Sequence, residues 1–115
     1  MLFSRFSAVN KARSDRWHPA GLQQWSLSDW CVAFMGEAGE MCNVVKKMNR
    51  LRDGLVGNQK DDAELSALRV KLAHELADAA IYLDLLAQRE GIVLEDAIVE
   101  KFNIVSERNG FPERL

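Results

Sequence analysis

The chain has 115 residues, enough for one domain with its own core. Apolar residues make up 48% and charged residues 28%, and the net charge is -2, which excludes a disordered composition, a general basic surface for nucleic acid and an acidic tail. Cys31 and Cys42 fit neither a disulfide framework nor a zinc site, and no run reaches the roughly 18 apolar residues of a membrane span.

The start, MLFSRFSAVNKARSDRW, is too polar for a secretory leader. A cytoplasmic protein with two reduced, packed thiols is therefore expected, with no nucleic-acid or membrane partner. The only prolines are Pro19 and Pro112, near the ends, and the glycines cluster at breaks. That pattern favours long helices. A first helix is expected over residues 2–13, followed by a loop over 14–27 (SDRWHPAGLQQWSL) that carries Trp17 and Trp25. Ser26 with Asp29 resembles a capping box and opens a second helix that runs to about Arg52. Asp53-Gly54 and Gly57-Asn58 mark a turn, and residues 51–67 are read as either a partly disordered segment or a lid. Asp61 or Asp62 caps a third helix that ends at Arg89 before Gly91. A fourth spans roughly 94–108, before Gly110 and Pro112. No strand-like alternation of useful length occurs. The expected fold class is all-α, with the whole chain, 1–115, as a single domain.

Two helices carry acids where apolar residues belong. With Glu37 at the origin of a helical wheel, Trp30, Ala33, Phe34, Met41, Val44 and Met48 fall within about 60° of it, and Glu40 lies about 60° to one side. With Glu75 at the origin, Leu68, Leu72, Ala79, Tyr82 and Leu86 gather around it, and Asp78 takes the place of Glu40. A lone acid beside an apolar stripe is usually a snorkelling or salt-bridged residue. Two matched acid-x-x-acid pairs are harder to dismiss, because buried carboxylates are costly unless paired or metal-bound and several together repel. Oxygen ligands without cysteine or histidine suit a hard ion, Mg²⁺ or Mn²⁺, and Mg²⁺ commonly bridges to substrate phosphates. A ferritin-like di-iron bundle would need Glu-x-x-His, and neither His18 nor His74 lies three residues after a glutamate.

On the fourth helix, Lys101 and Arg108 fall on the arc of Leu94, Ala97, Ile98, Ile104 and Val105. Two inward cations would neutralise phosphate oxygens, and snorkelling at a helix end is the even alternative. Lys47 is a third cation, two turns beyond Glu40, and by itself more often a solvated lysine. Trp17, Trp25 and Tyr82 offer ring faces to a nucleobase, although most aromatics at helical spacing are core.

The segments G-E-A-G-E-M at 36–41, H-E-L-A-D-A-A-I-Y-L at 74–83 and K-F-N-I-V-S-E-R-N-G-F-P at 101–112 resemble the MazG-like all-α nucleoside triphosphate pyrophosphohydrolases, including the dCTP pyrophosphatase group. A single E-x-x-E is weak; its combination with E-x-x-D-x-x-x-Y-L and K-x6-R ahead of F-P is specific. The likeness runs from about Phe6 to Pro112. It implies a four- to five-helix MazG-like bundle completed by oligomerisation as a homodimer or homotetramer. It also implies hydrolysis of nucleoside triphosphates to monophosphate and pyrophosphate, as nucleotide-pool house-cleaning. Glu37, Glu40, Glu75 and Asp78 would hold Mg²⁺ and carry the catalysis, with Lys101 and Arg108 on the phosphates. The chain has Lys47 where dCTP-type relatives have tryptophan, and Val105 where they have asparagine, with Asn103 and Asn109 nearby as substitutes. It has Gly36-Glu37 where many relatives have Glu-Glu. The alternatives are a non-catalytic helical protein that binds metal and nucleotide in a regulatory role, and a purely structural bundle.

Overall fold

The computed structural model describes residues 1–58 and 61–115. Among them are four α-helices and no strand: α1 (Phe3–Trp17), α2 (Leu27–Asp53), α3 (Asp62–Arg89) and α4 (Leu94–Asn109), with a 3-10 turn at Leu22–Gln24. No described helix is long and apolar enough to cross a membrane. The chain divides into two compact units. One comprises Met1–Leu27 with Asp84–Leu115, the other Ser28–Leu83.

The helix ends follow from local chemistry. Asp61 opens α3: its Oδ1 accepts the backbone N–H of Ala63 at 2.9 Å and of Glu64 at 3.2 Å, two of the amides that a helix start leaves without partners. Asp61→Ala is expected to lower stability by about 1 kcal/mol, read as a drop in melting temperature, with no change in far-ultraviolet helix signal. An unchanged melt would mean that this cap contributes nothing. At the other ends one closing motif recurs. Ile92 donates its N–H to the Ala87 carbonyl at 2.9 Å after α3, and Phe111 donates to Ser106 at 2.9 Å after α4. Gly91 and Gly110 make the reversal between them at φ of 70° and 68°, a conformation that costs other residues steric strain.

The first helix is one turn longer than the sequence pattern suggests. Residues 14–17 continue α1, so Trp17 sits on its last turn and outside the loop expected for it. Pairs one turn apart hold that turn: Lys11 Nζ contacts Asp15 at 2.8 Å, and the Arg13 guanidinium lies 5.8 Å from the centre of the Trp17 ring. Helix α1 stops before His18, the residue that precedes Pro19, whose ring disfavours helical geometry in its predecessor. Within the segment 51–67, expected as partly disordered or a lid, α2 continues to Asp53 and α3 begins at Asp62; Gln59 and Lys60 lie outside the described residues.

In the first unit a buried carboxylate organises the packing. Asp84 accepts hydrogen bonds from the Ser7 hydroxyl at 2.5 Å, the Asn10 amide at 2.9 Å and the Gln88 amide at 2.8 Å. The Gln88 amide also donates to the Ser7 carbonyl at 3.0 Å. These bonds fasten α1 to the last turns of α3. Arg89 Nε donates to the Trp25 carbonyl at 3.0 Å, and Gln23 donates back to the Arg89 carbonyl at 2.9 Å, which tethers the loop to the same helix end.

In the second unit α2 and α3 meet along one seam. Trp30 is fully buried and its ring centre lies 6.2 Å from that of Tyr82. Seven residues on along α2 is Glu37, and seven back along α3 is Glu75, whose carboxylates also meet. Equal steps in opposite senses mean that the helices run antiparallel with matched heptads. The next step reaches Val44, which is buried, and Leu68, which is half-buried. Cys31 and Cys42 are free thiols, as expected, but both are exposed and neither packs in a core. They lie on the α2 face turned away from this seam, about 90° or more from Trp30 and Glu37.

Candidate functional site

The acids replace one layer of the seam between α2 and α3, with the Trp30–Tyr82 aromatic layer on one side and Val44 on the other. Glu37, Glu40 and Glu75 each present a carboxylate oxygen within 4.8 Å of the other two. Asp78 lies outside that group, and its charge nonetheless acts on Glu37. Three of the four acids are thus brought together. Their burial is less than the wheel implies: Glu37 and Glu75 are half-buried, while Glu40 and Asp78 are exposed in the single chain. The physical reason is position on the stripe. Glu37 and Glu75 occupy its centre, whereas Glu40 and Asp78 sit about 60° off, where the helix surface turns toward water.

The cluster carries its own repulsion. The Glu37 carboxyl is held above the ordinary glutamic acid range, first by burial and then by the charges of Glu40, Asp78 and Glu75. No lysine, arginine or histidine forms an ion pair with any of the four acids among the described residues. The donor set is all oxygen and negatively charged, which suits a hard divalent cation. Around an octahedral Mg²⁺ neighbouring oxygens lie about 3 Å apart and only an opposite pair reaches about 4.2 Å, so three oxygens within 4.8 Å of one another would draw closer together to share an ion. In charge and atom type the residues fit the group.

The other residues singled out from sequence are distributed as follows. Tyr82 is half-buried beside Trp30, in the layer next to the acids. Lys47 is exposed on α2. Lys101 and Arg108 are exposed on α4, in the other unit. Lys101 lies on the wall of an apolar recess of about 680 Å³ with Ile98, Phe102, Val105 and Phe111. Trp17 is 68% exposed under Arg13. Trp25 packs edge-on against His18, with ring centres 4.5 Å apart. Asn103 has a partner of its own: its amide donates to the Leu115 carbonyl at 3.3 Å, and its Oδ1 accepts the Leu115 N–H at 3.0 Å. In the single chain its side chain thus holds Leu115.

Sequence reasoning passed over Asp84 and its partners Ser7, Asn10 and Gln88. One signal was available. Asp84 interrupts the apolar run Ile81–Ala87 near the end of α3, with Leu85 and Ala87 buried beside it.

Comparison of the chain with protein-family models, with curated proteins and with solved structures returned no match.

Proposed function

We propose that this protein hydrolyses nucleoside or deoxynucleoside triphosphates to the monophosphate and pyrophosphate, with Mg²⁺ as cofactor and Mn²⁺ as a substitute. The convergence of Glu37, Glu40 and Glu75 in a helix seam is the observation that carries the reading. The motif resemblance to MazG-like pyrophosphohydrolases supplies the substrate class and the bond that is cleaved. In this reading Glu37, Glu40, Glu75 and Asp78 hold the metal. Bound there, the ion would neutralise charge that builds on the phosphates and ease deprotonation of an attacking water. The chain's own contribution is to pre-place the carboxylates: the Trp30–Tyr82 layer and Val44 fix the faces of α2 and α3 from which they project. Lys101 and Arg108 bind phosphate oxygens, Arg108 through its fork of donors. Trp17, Trp25 and Tyr82 provide ring faces for the base, and Lys47 a further cation.

A homodimer or homotetramer that completes the helical bundle belongs to the same proposal. It is supported by apolar side chains left open on each unit: Val32, Met35, Val70 and Leu76 on one, Ile98, Phe102, Ile104 and Val105 on the other. House-cleaning of the nucleotide pool would place the enzyme in the cytoplasm.

The test is an assay of the purified full-length chain with Mg²⁺ across canonical and modified nucleoside triphosphates, with products resolved by phosphorus NMR. Monophosphate and pyrophosphate in equal amounts are expected from at least one substrate. Inorganic phosphate as the sole phosphate product contradicts the assigned bond. No product from any nucleotide, combined with Mg²⁺-dependent nucleotide binding, would favour a regulatory binding protein.

A further inference from the structure

Asp84 belongs to the first unit and takes no part in the acid cluster. It exposes only 1% of its surface. All three of its hydrogen-bond donors, Ser7, Asn10 and Gln88, are neutral. Among the described residues it forms no ion pair. A carboxylate withdrawn from water without a counter-charge is an unfavourable arrangement that a positive partner relieves.

Asp84 is also part of the wall of a recess of about 230 Å³, shared with Phe3, Ser7, Gln88, Ile92 and Glu95. No lysine, arginine or histidine lines it. The side-chain donors on this wall are largely used up. Both N–H bonds of Gln88 are spent, one on the Ser7 carbonyl and one on Asp84, and the Ser7 hydroxyl hydrogen is spent on Asp84. What is left over accepts: the Gln88 carbonyl oxygen, the Ser7 hydroxyl lone pairs, a remaining site on the Asp84 carboxylate and the Glu95 carboxylate. The start of α4 brings partial positive charge to the same wall, and Glu95 and Asp96 in its first turn offset it. The Ser4 hydroxyl, able to donate or accept, also lines the recess, and the rest of the surface, from Phe3, Ile92, Val93 and Leu94, is hydrocarbon.

Such a wall is complementary to a short apolar stem that ends in a positively charged group with several N–H donors. We propose that the recess beside Asp84 binds a primary alkylammonium group, as found on small alkylamines and diamines. The ammonium would donate to Asp84, Gln88 and Ser7, and its methylenes would lie against Phe3 and Ile92. The recess is smaller than the roughly 300–1,000 Å³ of sites for larger ligands, so the occupant has only a few carbons. The site is independent of the nucleotide reading and of any metal at Glu37.

The test titrates the full-length chain with n-butylammonium chloride and follows backbone amides by NMR. Saturable shifts are expected at Ser7, Gln88 and Ile92, with a Kd of the order of 1 mM. Asp84→Asn keeps the shape and removes the charge, and binding should weaken by at least about tenfold. Glu37→Gln should leave binding unchanged. Equal affinity for Asp84→Asn, shifts confined to the neighbourhood of Glu37, or no saturable shift would each overturn the proposal. Should Asp84→Asn fail to fold, Ile92→Trp fills the recess and keeps the carboxylate clasp; loss of binding is expected, and retained binding overturns the site.

Discussion

Glu37→Gln is expected to lower kcat/KM for triphosphate hydrolysis by about 100- to 1,000-fold while making the metal-free protein more stable. The first effect follows from the proposed role of Glu37: the ion it would help to hold stabilises charge on the reacting phosphates, and losing one such stabilising contribution typically costs that range. The second follows from the cluster itself. Burial and the neighbouring charges of Glu40, Asp78 and Glu75 raise the proton affinity of Glu37 in the folded state. The folded chain therefore binds more protons than the unfolded chain in the window just above the ordinary glutamic acid pKa, and stability falls as pH rises through that window. Above it the penalty is fully present. Two carboxylate oxygens no farther apart than 4.8 Å repel by at least roughly 1 kcal/mol at the dielectric of water and about 3.5 kcal/mol at an effective value of 20. Glu40 and Asp78 are exposed, so a gain near 1 kcal/mol is the reasonable figure. Thermal unfolding in EDTA at neutral pH should show the variant melting above the wild type, with the difference shrinking as the pH is lowered toward 4. Addition of Mg²⁺ should raise the wild-type melting temperature and leave the variant nearly unmoved, because only a ligand that binds the folded state stabilises it. A variant with wild-type turnover would remove Glu37 from the site, and a variant less stable without metal would show that the cluster is not under repulsion.

The largest stability loss in the chain is expected from Trp30→Ala. Trp30 is fully buried and is the largest such side chain. It forms the layer with Tyr82 that sets the register of α2 against α3. Truncation removes its burial and leaves a cavity, a combination that typically costs about 3–5 kcal/mol. Against a total stability of roughly 5–15 kcal/mol, such a loss leaves the variant marginal. Trp17→Ala is the matched control. That ring is 68% exposed and touched by one guanidinium, so its loss should cost under about 1 kcal/mol. Urea unfolding of both variants decides the matter. Similar midpoints for the two would mean that the seam does not carry the second unit. Wherever Trp30→Ala stays folded, Mg²⁺ binding should weaken as well, since the aromatic layer fixes the faces that bear Glu37 and Glu75.

The register of that seam explains which parts of the site could be read in advance. Helical periodicity is a local property, and by itself it puts Glu37 and Glu75 at the centre of their stripes. Matching the two helices adds one piece of information, the pairing of Trp30 with Tyr82, and the acids then meet without further adjustment. How far each acid is buried was not legible. It depends on what covers the flank of the stripe, and Glu40 and Asp78 project past the cover that α2 and α3 provide within one chain. The exposed thiols misled for the same reason, since a cysteine between apolar neighbours on a helix gives no sign of which side faces out.

Residues 3–17 show a different limit. The pattern ended α1 four residues early because Ser14, Asp15 and Arg16 look like loop chemistry. Ser14 is buried and Asp15 pairs with Lys11 one turn before it, so contacts made by the folded chain extended the helix until Pro19 forbade it.

By itself the sequence determined four helices, the glycine-marked ends of α2, α3 and α4, an aspartate cap for α3 at Asp61 or Asp62 and the alignment of acid pairs with apolar stripes. Each of these rests on interactions within a few residues, where backbone sterics and side-chain spacing leave little choice. Only the tertiary structure decided that three carboxylates come within one another's reach, that Asn103 serves the C-terminal tail and that Asp84 joins Ser7 and Asn10 across more than 70 positions of chain. Those outcomes depend on how whole helices register against one another, and that is settled by the summed burial of many side chains.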